Sequence, residues 1–219
     1  EFHAIYHALN NFCSVDMSAV YLDILKDRLY TFRADSPARR GSQTVLYEII
    51  LSMTKLMAPI LSFTADEIWR ALSGQFGASP EAESVHLTIF PEDKEEWQDP
   101  GLMKRWDRLL EVRTGVQAAL EEQRRNKVIG SSLEAVVEIQ ANPDTYGFLM
   151  PYESDLSALF IVSGAKLKAV RHLPERPDFL VTVSKATAKK CERCWNYREA
   201  VGRNAAHPTL CDRCVEALQ

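Results

Sequence analysis

Cys191-Glu192-Arg193-Cys194 and Cys211-Asp212-Arg213-Cys214 are the two stretches that decide how the end of this chain folds. A gap of 16 residues separates the two pairs, and this is long enough to fold back and bring four thiolates to one ion. Thiolates favour zinc over magnesium or calcium. Because four sulfurs leave no open position for water, the pattern predicts one structural Zn²⁺ and no metal-based catalysis.

Two disulfides or an iron–sulfur cluster are the alternatives for the same cysteines. No segment resembles a secretory signal, and the fifth cysteine, Cys13, stands alone in the sequence. Both features are typical of a reducing compartment, where disulfides are rare. Iron–sulfur sites more often show tighter, asymmetric cysteine runs. Structural zinc is therefore the favoured cofactor.

Composition indicates a soluble globular protein whose charge is unevenly distributed. The 219 residues are 46% hydrophobic and 26% charged, and the apolar stretches are too short to span a bilayer. The net charge of −4 argues against a polyanionic partner. However, residues 101–130 and residues 185–219 each carry 7 basic and 4 acidic side chains. These local clusters are what a nucleic acid would meet.

Apolar residues recur at helical spacing through the first 75 residues. We expect Asp16 to cap a second helix and Pro59 to end a third one. Residues 64–67, Thr-Ala-Asp-Glu, read as a capping box that opens a fourth helix. Four helices with short connections and one-sided apolar stripes predict a helix bundle.

The pattern changes twice after this bundle. An acidic stretch rich in Gly and Pro precedes a long helix that starts at Asp99-Pro100, and residues 85–89 are expected to be extended. After residue 130, alternating apolar residues predict three strands. A helix over residues 143–158, split at Pro151, is expected between the first two strands.

The sequence therefore predicts an α+β fold with five parts. They are an N-terminal α-helical bundle (residues 1–75), an acidic connector (76–100), a long connecting helix (101–130), a small β-α-β-β junction domain (131–184) and a C-terminal Cys₄ zinc finger (185–219). Since the chain opens with Glu1 rather than Met, we expect it to be part of a longer polypeptide.

No complete active site is visible in the sequence. There is no phosphate-binding glycine loop and no convincing nucleophile–base set. Trp69 and Trp106 lie on apolar stripes and are predicted to be core residues, and Cys13 is predicted to be a small buried hydrophobe. His3 and His7 are spaced for one helix face but lack a third metal ligand. We therefore predict no catalytic residue.

Basic and aromatic residues surround the cysteine pairs and suggest contact with RNA. Aromatic rings stack on unpaired bases, while Arg and Lys neutralise phosphates. In the alternative interpretation, Trp195 covers the zinc and the arginines donate to cysteine sulfurs, and composition alone leaves both open. The candidates for RNA contact near the finger are Trp195, Arg193, Arg198, Arg203, Arg213, Lys189 and Lys190.

Several segments in order along the chain resemble the class I isoleucyl-tRNA synthetases of bacteria. DMSAVYLDILKDRLY (residues 16–30), with the helix before it, is similar to their anticodon-binding helical domain. LMAPILSFTADEIW (56–69) is similar to a segment shared with the valyl and leucyl enzymes. KVIGSSLEA (127–135) resembles the lead into their C-terminal extension, and the CERCW and CDRC knuckles resemble their terminal zinc finger.

The resemblance implies a monomeric, cytoplasmic enzyme that uses ATP and Mg²⁺ to attach isoleucine to its tRNA. The His-Ile-Gly-His and Lys-Met-Ser-Lys-Ser signatures of the family are absent here, as is an editing domain. This region is therefore expected to recognise or dock tRNA without catalysing aminoacylation. Lys26, Arg28 and Tyr30 are further candidates for tRNA contact, by their position in the helical domain.

Two other classes of protein carry similar fingers. A zinc-finger DNA glycosylase would use an arginine between the cysteine pairs, here Arg203, to enter DNA. Such enzymes need an N-terminal proline as nucleophile, whereas this chain opens with Glu1-Phe2. A zinc module that binds only protein would need no cluster of basic and aromatic residues.

Overall fold

The computed structural model describes residues 1–75, 82–171, 173 and 178–219. The chain divides into two compact units: Glu1–Arg33 groups with Pro100–Gln219, and Ala34–Asp99 forms the other. The bundle predicted over residues 1–75 thus draws on both units. Within the described residues, no helix is long and apolar enough to cross a membrane.

An unbroken helical run opens the first unit. Helix α1 covers Phe2–Asn11, a π-helical segment covers Phe12–Leu22, and α2 covers Asp23–Thr31. The predicted cap at Asp16 is wrong, because this residue lies inside the π-helical segment. There the backbone hydrogen bonds join residues five apart instead of four, and the helix continues without a break. Cys13 lies in the same segment and is exposed, which corrects its assignment as a buried residue.

Two helices and two short 3₁₀ turns form the second unit. Helix α3 covers Pro37–Met57, with proline at its first turn, and ends ahead of Pro59 as predicted. Helix α4 covers Ser62–Gln75, so it starts before the predicted capping box. The 3₁₀ turns cover Val85–Leu87 and Glu95–Trp97, and the extended piece predicted at 85–89 is therefore wrong.

Trp69 anchors the small core of this second unit. Its side chain is 3% exposed and packs with Ala58, Ala65 and Val85, which confirms the prediction for this tryptophan. The indole Nε1 donates to the Ala82 carbonyl at 2.9 Å, so the buried N–H is satisfied. Ala82 is thereby held against α4.

Helix α5 covers Pro100–Arg125 and packs against the sheet of the first unit, starting where Asp99-Pro100 predicted. Trp106 is 42% exposed near its beginning, so the prediction of a core position was wrong. A Cβ on Gly115 would lie 2.8 Å from the Phe179 ring, and glycine thus allows the sheet to approach closely. The buried stripe of the helix consists of Leu109, Val112, Val116 and Leu120.

A three-stranded sheet forms the other half of this core. Strand β1 (Ala135–Ala141) lies between β2 (Gly164–Ala169), its parallel neighbour, and β3 (Phe179–Lys185), its antiparallel neighbour. Every second residue of β1 is fully buried, because these side chains face α5 and the crossover helices. The three predicted strands and the β-α-β-β order are confirmed.

The crossover between β1 and β2 is split at the predicted proline. Helix α6 covers Pro143–Leu149, a 3₁₀ turn covers Met150–Tyr152, and α7 covers Leu156–Phe160. The Asn142 side chain accepts the Thr145 N–H at 2.8 Å and so caps α6. Pro151 has no N–H to continue the first helix, which accounts for the interruption.

Arg113 joins the opening helical run to this core. It is only 5% exposed, and its Nε donates to the Leu159 carbonyl at 3.1 Å. Its Nη2 reaches the Ala19 carbonyl at 3.4 Å and Asp23 Oδ2 at 3.3 Å. The amide of Gln117, oriented with its oxygen toward the guanidinium, also accepts from Nη1 at 3.0 Å. One buried cation therefore ties the π-helical segment and α2 to α5 and α7.

We expect Arg113→Met to lower the free energy of unfolding by about 1.5–3 kcal/mol, because it removes hydrogen bonds to a charged donor and leaves buried acceptors unpaired. The loss should appear as a lower urea midpoint, followed by far-UV circular dichroism. Lys104→Met, on the exposed part of α5, is the matched control and should change stability by less than about 0.5 kcal/mol. Equal losses in the two variants would contradict the role assigned to Arg113.

Candidate metal centre and nucleic-acid interface

The four predicted cysteine ligands converge on one point. The Sγ atoms of Cys191, Cys194, Cys211 and Cys214 all lie within 4.8 Å of one another, and all four residues are buried. The Sγ atoms of Cys194 and Cys211 are 3.8 Å apart. A tetrahedral site with Zn–S bonds of about 2.3 Å separates its sulfurs by about 3.8 Å. No disulfide joins the cysteines, and the geometry fits one Zn²⁺.

Backbone turns hold the sulfurs together. The Trp195 N–H donates to the Cys191 carbonyl at 2.8 Å, which closes the first knuckle. The Cys211 N–H donates to Cys191 Sγ at 3.3 Å and so links the two knuckles. Helix α8, Asp212–Glu216, begins at the second knuckle and carries Cys214. Amide donors directed at sulfur are what a thiolate ligand needs.

The electrostatics of the cluster are suited to a cation. Burial raises the pKa of the Cys191 thiol, but nearby backbone N–H groups outweigh this effect and bring its pKa to about 6. Burial raises the pKa of Cys211 and of Cys214 above the ordinary value of a thiol. Burial thus disfavours a negative charge on these two sulfurs. A bound Zn²⁺ would allow all four to ionise, and metal binding would release protons.

Trp195 lies on the outer face of the finger. Its side chain is 61% exposed, and its backbone is left-handed with φ of 63°. The Lys190 Nζ lies 5.5 Å from the centroid of its ring. Both residues border a surface groove, here called the Trp195 groove, lined by Arg124, residues 130–133, Ile161, Lys190, Trp195 and Tyr197.

The other candidates for tRNA contact fall into two groups. Lys189 and Arg203 are exposed on the finger, and Lys26 and Tyr30 are exposed on α2. Lys26 Nζ pairs with Asp23 at 2.8 Å. The half-buried candidates are Arg28, Arg193, Arg198 and Arg213. Arg193 contacts Cys214 Sγ and the end of α2, and Arg213 contacts Asp27 of α2.

Sequence reasoning missed the residues that attach the finger to the rest of its unit. The Tyr197 N–H donates to Ser163 Oγ at 2.7 Å, and Ser163 Oγ donates to the Leu133 carbonyl at 2.5 Å. On the other side, Asp27 and Thr31 of α2 accept from finger arginines. The sequence signal for the contacts with α2 is that each cysteine pair encloses an acidic residue followed by an arginine. No comparable signal marks Ser163.

We expect Cys211→Ser to abolish stoichiometric zinc binding and to unfold residues 185–219, because structural zinc contributes about 10–16 kcal/mol to folding in finger peptides. Metal content after gel filtration and limited proteolysis would measure both effects. Cys13→Ser is the matched control, since Cys13 is exposed and remote in sequence from the cluster. If Cys211→Ser kept one zinc per chain and the same protease resistance, the metal centre would be wrongly assigned.

Comparison with known proteins agrees with this geometry. Residues 1–139 match the family described as "Anticodon-binding domain of tRNA ligase", and residues 188–217 match "Zinc finger found in FPG and IleRS". Similar proteins include isoleucine–tRNA ligases from Geobacter sulfurreducens (46% identical), Syntrophotalea carbinolica (49%) and Moorella thermoacetica (44%). Each alignment covers 100% of this chain and 24% of the relative.

These matches confirm the resemblance drawn from the sequence. They disfavour the glycosylase alternative, because residues 1–139 match an anticodon-binding domain. The chain spans about a quarter of the length of these relatives. The first family match alone covers well over half of the chain. The chain therefore belongs to the family of anticodon-binding domains of tRNA ligases, and it carries a zinc finger of the type found in FPG and IleRS.

Proposed function

We propose that this chain is the tRNA-binding C-terminal region of an isoleucine–tRNA ligase. The observation that carries the proposal is the similarity of the whole chain to such ligases at 40–49% identity. In the complete enzyme, ATP and Mg²⁺ would be used to attach isoleucine to its tRNA in the cytoplasm. That chemistry would take place in parts of the enzyme outside this chain, which supplies tRNA docking as a monomer.

Trp195 is the residue best placed to contact an unpaired base. Its exposed ring is held by a knuckle whose backbone is fixed on both sides, by the Cys191 carbonyl and by the buried Asn196. A rigid aromatic ring loses little conformational entropy on stacking, and Lys190 beside it supplies positive charge near a phosphate. A base seated in the Trp195 groove would therefore stack on the ring.

Positive charge extends the interface along the finger and α2. Lys189 and Arg203 are exposed on the finger, and we propose that they contact phosphates together with Arg198. Lys26, Arg28 and Tyr30 on α2 are proposed to contact the anticodon stem-loop. Tyr30 supports this role because its ring is 77% exposed. The zinc would hold the finger rigid and would take no part in binding RNA.

We expect Trp195→Ala to weaken binding of isoleucine tRNA by about 1–3 kcal/mol, the usual contribution of one base stacked on an aromatic ring, while zinc content stays unchanged. Filter binding or fluorescence anisotropy would measure the change. Trp97→Ala is the matched control, because Trp97 is equally exposed (62%) and also carries a lysine, Lys94, at 3.9 Å from its ring. Equal tRNA affinity in both variants would assign Trp195 a structural role.

The preference for tRNA tests the function itself. We expect the chain to bind isoleucine tRNA in preference to a non-cognate tRNA and to abasic duplex DNA, with affinity falling as salt rises because phosphate contacts release counterions. A competition experiment at two salt concentrations would measure this order. Preference for the abasic duplex would favour the glycosylase alternative, and binding to neither nucleic acid would contradict the proposal.

A further inference from the structure

The two cysteine knuckles share one feature that zinc binding alone does not require. Each has an arginine directly before its second cysteine, Arg193 in the first and Arg213 in the second. Both arginines belong to the finger, yet both reach the last turn of α2, about 160–190 positions earlier in the chain. The two knuckles thus contact one helix end by the same means.

Arg193 bridges a cysteine sulfur and the end of α2. Its Nη1 donates to the Thr31 carbonyl at 2.5 Å and lies 3.6 Å from Cys214 Sγ. Thr31 is the last residue of α2, so its carbonyl has no acceptor role within the helix. A cation at this position also suits the negative end of the helix dipole. The guanidinium therefore lies between two centres of negative charge.

Arg213 makes the second bridge through a side-chain carboxylate. Its guanidinium binds both oxygens of Asp27, with Nη2 to Oδ1 at 2.8 Å, and lies 5.2 Å from the Phe32 ring centroid. The Thr31 hydroxyl lies 2.8 Å from both the Asp27 carbonyl oxygen and Oδ1 of the same carboxylate, so its one proton is shared between these two acceptors. A bidentate pair is stronger and more specific than an ordinary surface ion pair.

The Cys214 sulfur links these contacts to the metal. Arg193 donates to this sulfur, and Arg213 directly precedes the same cysteine in the second knuckle. With Zn²⁺ bound, this sulfur would be one of its ligands, so both arginines lie next to the ligand shell. Hydrogen bonds outside the ligand shell tune metal affinity in return.

We propose that Arg193 and Arg213 are positioning residues that couple zinc binding to the attachment of the finger to α2. The loaded centre holds the two guanidinium groups in place, and they hold Asp27 and the Thr31 carbonyl. Zinc then sets the position of the finger relative to α2 as well as the internal fold of the finger. The coupling does not depend on what the finger binds.

The sharpest test changes α2 and leaves the finger sequence intact. Asp27→Ala should weaken zinc binding about 10-fold or more, as measured by competition with a chromophoric chelator, because loss of an outer-shell partner usually costs 10–100-fold in metal affinity. Asp107→Ala removes a carboxylate from the exposed part of α5 and is the matched control, with zinc affinity expected within twofold of the parent. Unchanged affinity in Asp27→Ala would overturn the proposal.

A double-mutant cycle and hydrogen exchange complete the test. Arg213→Lys should weaken zinc binding like Asp27→Ala, and the double variant should lose little more, because the two residues act through one contact. In the parent chain, chelation should raise amide exchange in residues 23–31 as well as in the finger. Two results would overturn the proposal by showing that the finger and α2 are independent. One is additive losses of zinc affinity in the cycle, and the other is amide exchange in residues 23–31 that stays the same with and without zinc.

Discussion

The burial of one face of α5 against the three-stranded sheet is the constraint on which the larger unit depends. The fully buried residues of β1 and the apolar stripe of α5 belong to one apolar cluster. Gly115 allows the sheet edge at Phe179 to approach the helix. Helix α5 is fixed in this way, and its buried Arg113 then binds Asp23 of the opening helical run. Arg124, near the C-terminal end of α5, lines the Trp195 groove.

The finger is held to this core from two sides that differ in chemistry. Toward the sheet, neutral hydrogen bonds through Ser163 link Tyr197 to the loop before β1. Toward α2, the Arg213 guanidinium forms an ion pair with the Asp27 carboxylate. Salt screens the charged contacts and affects the neutral ones much less.

Much of the fold was predictable because strand alternation, proline positions and cysteine spacing are local signals. The split at Pro151, the start of α5 at Pro100 and the four converging sulfurs all followed from neighbours in sequence. The helix starts predicted at Asp16 and at residues 64–67 were wrong, because a capping pattern in the sequence can also occur inside a helix. Trp106 and Cys13 were placed in the core on apolar periodicity alone, which does not say what packs against a stripe. Asp27 was missed because its partner lies 186 positions away.

The left-handed backbone at Ile161 and Trp195 has a consequence for how this region could evolve. Both residues border the Trp195 groove, with φ of 58° and 63°, and a side chain with a Cβ costs about 1–3 kcal/mol in such a conformation. Glycine or asparagine would adopt this left-handed backbone with less strain at either position. Selection for thermal stability alone would favour glycine or asparagine at positions 161 and 195. Retention of Ile161 and Trp195 would therefore mean that the Trp195 groove is kept for ligand binding at a cost in stability.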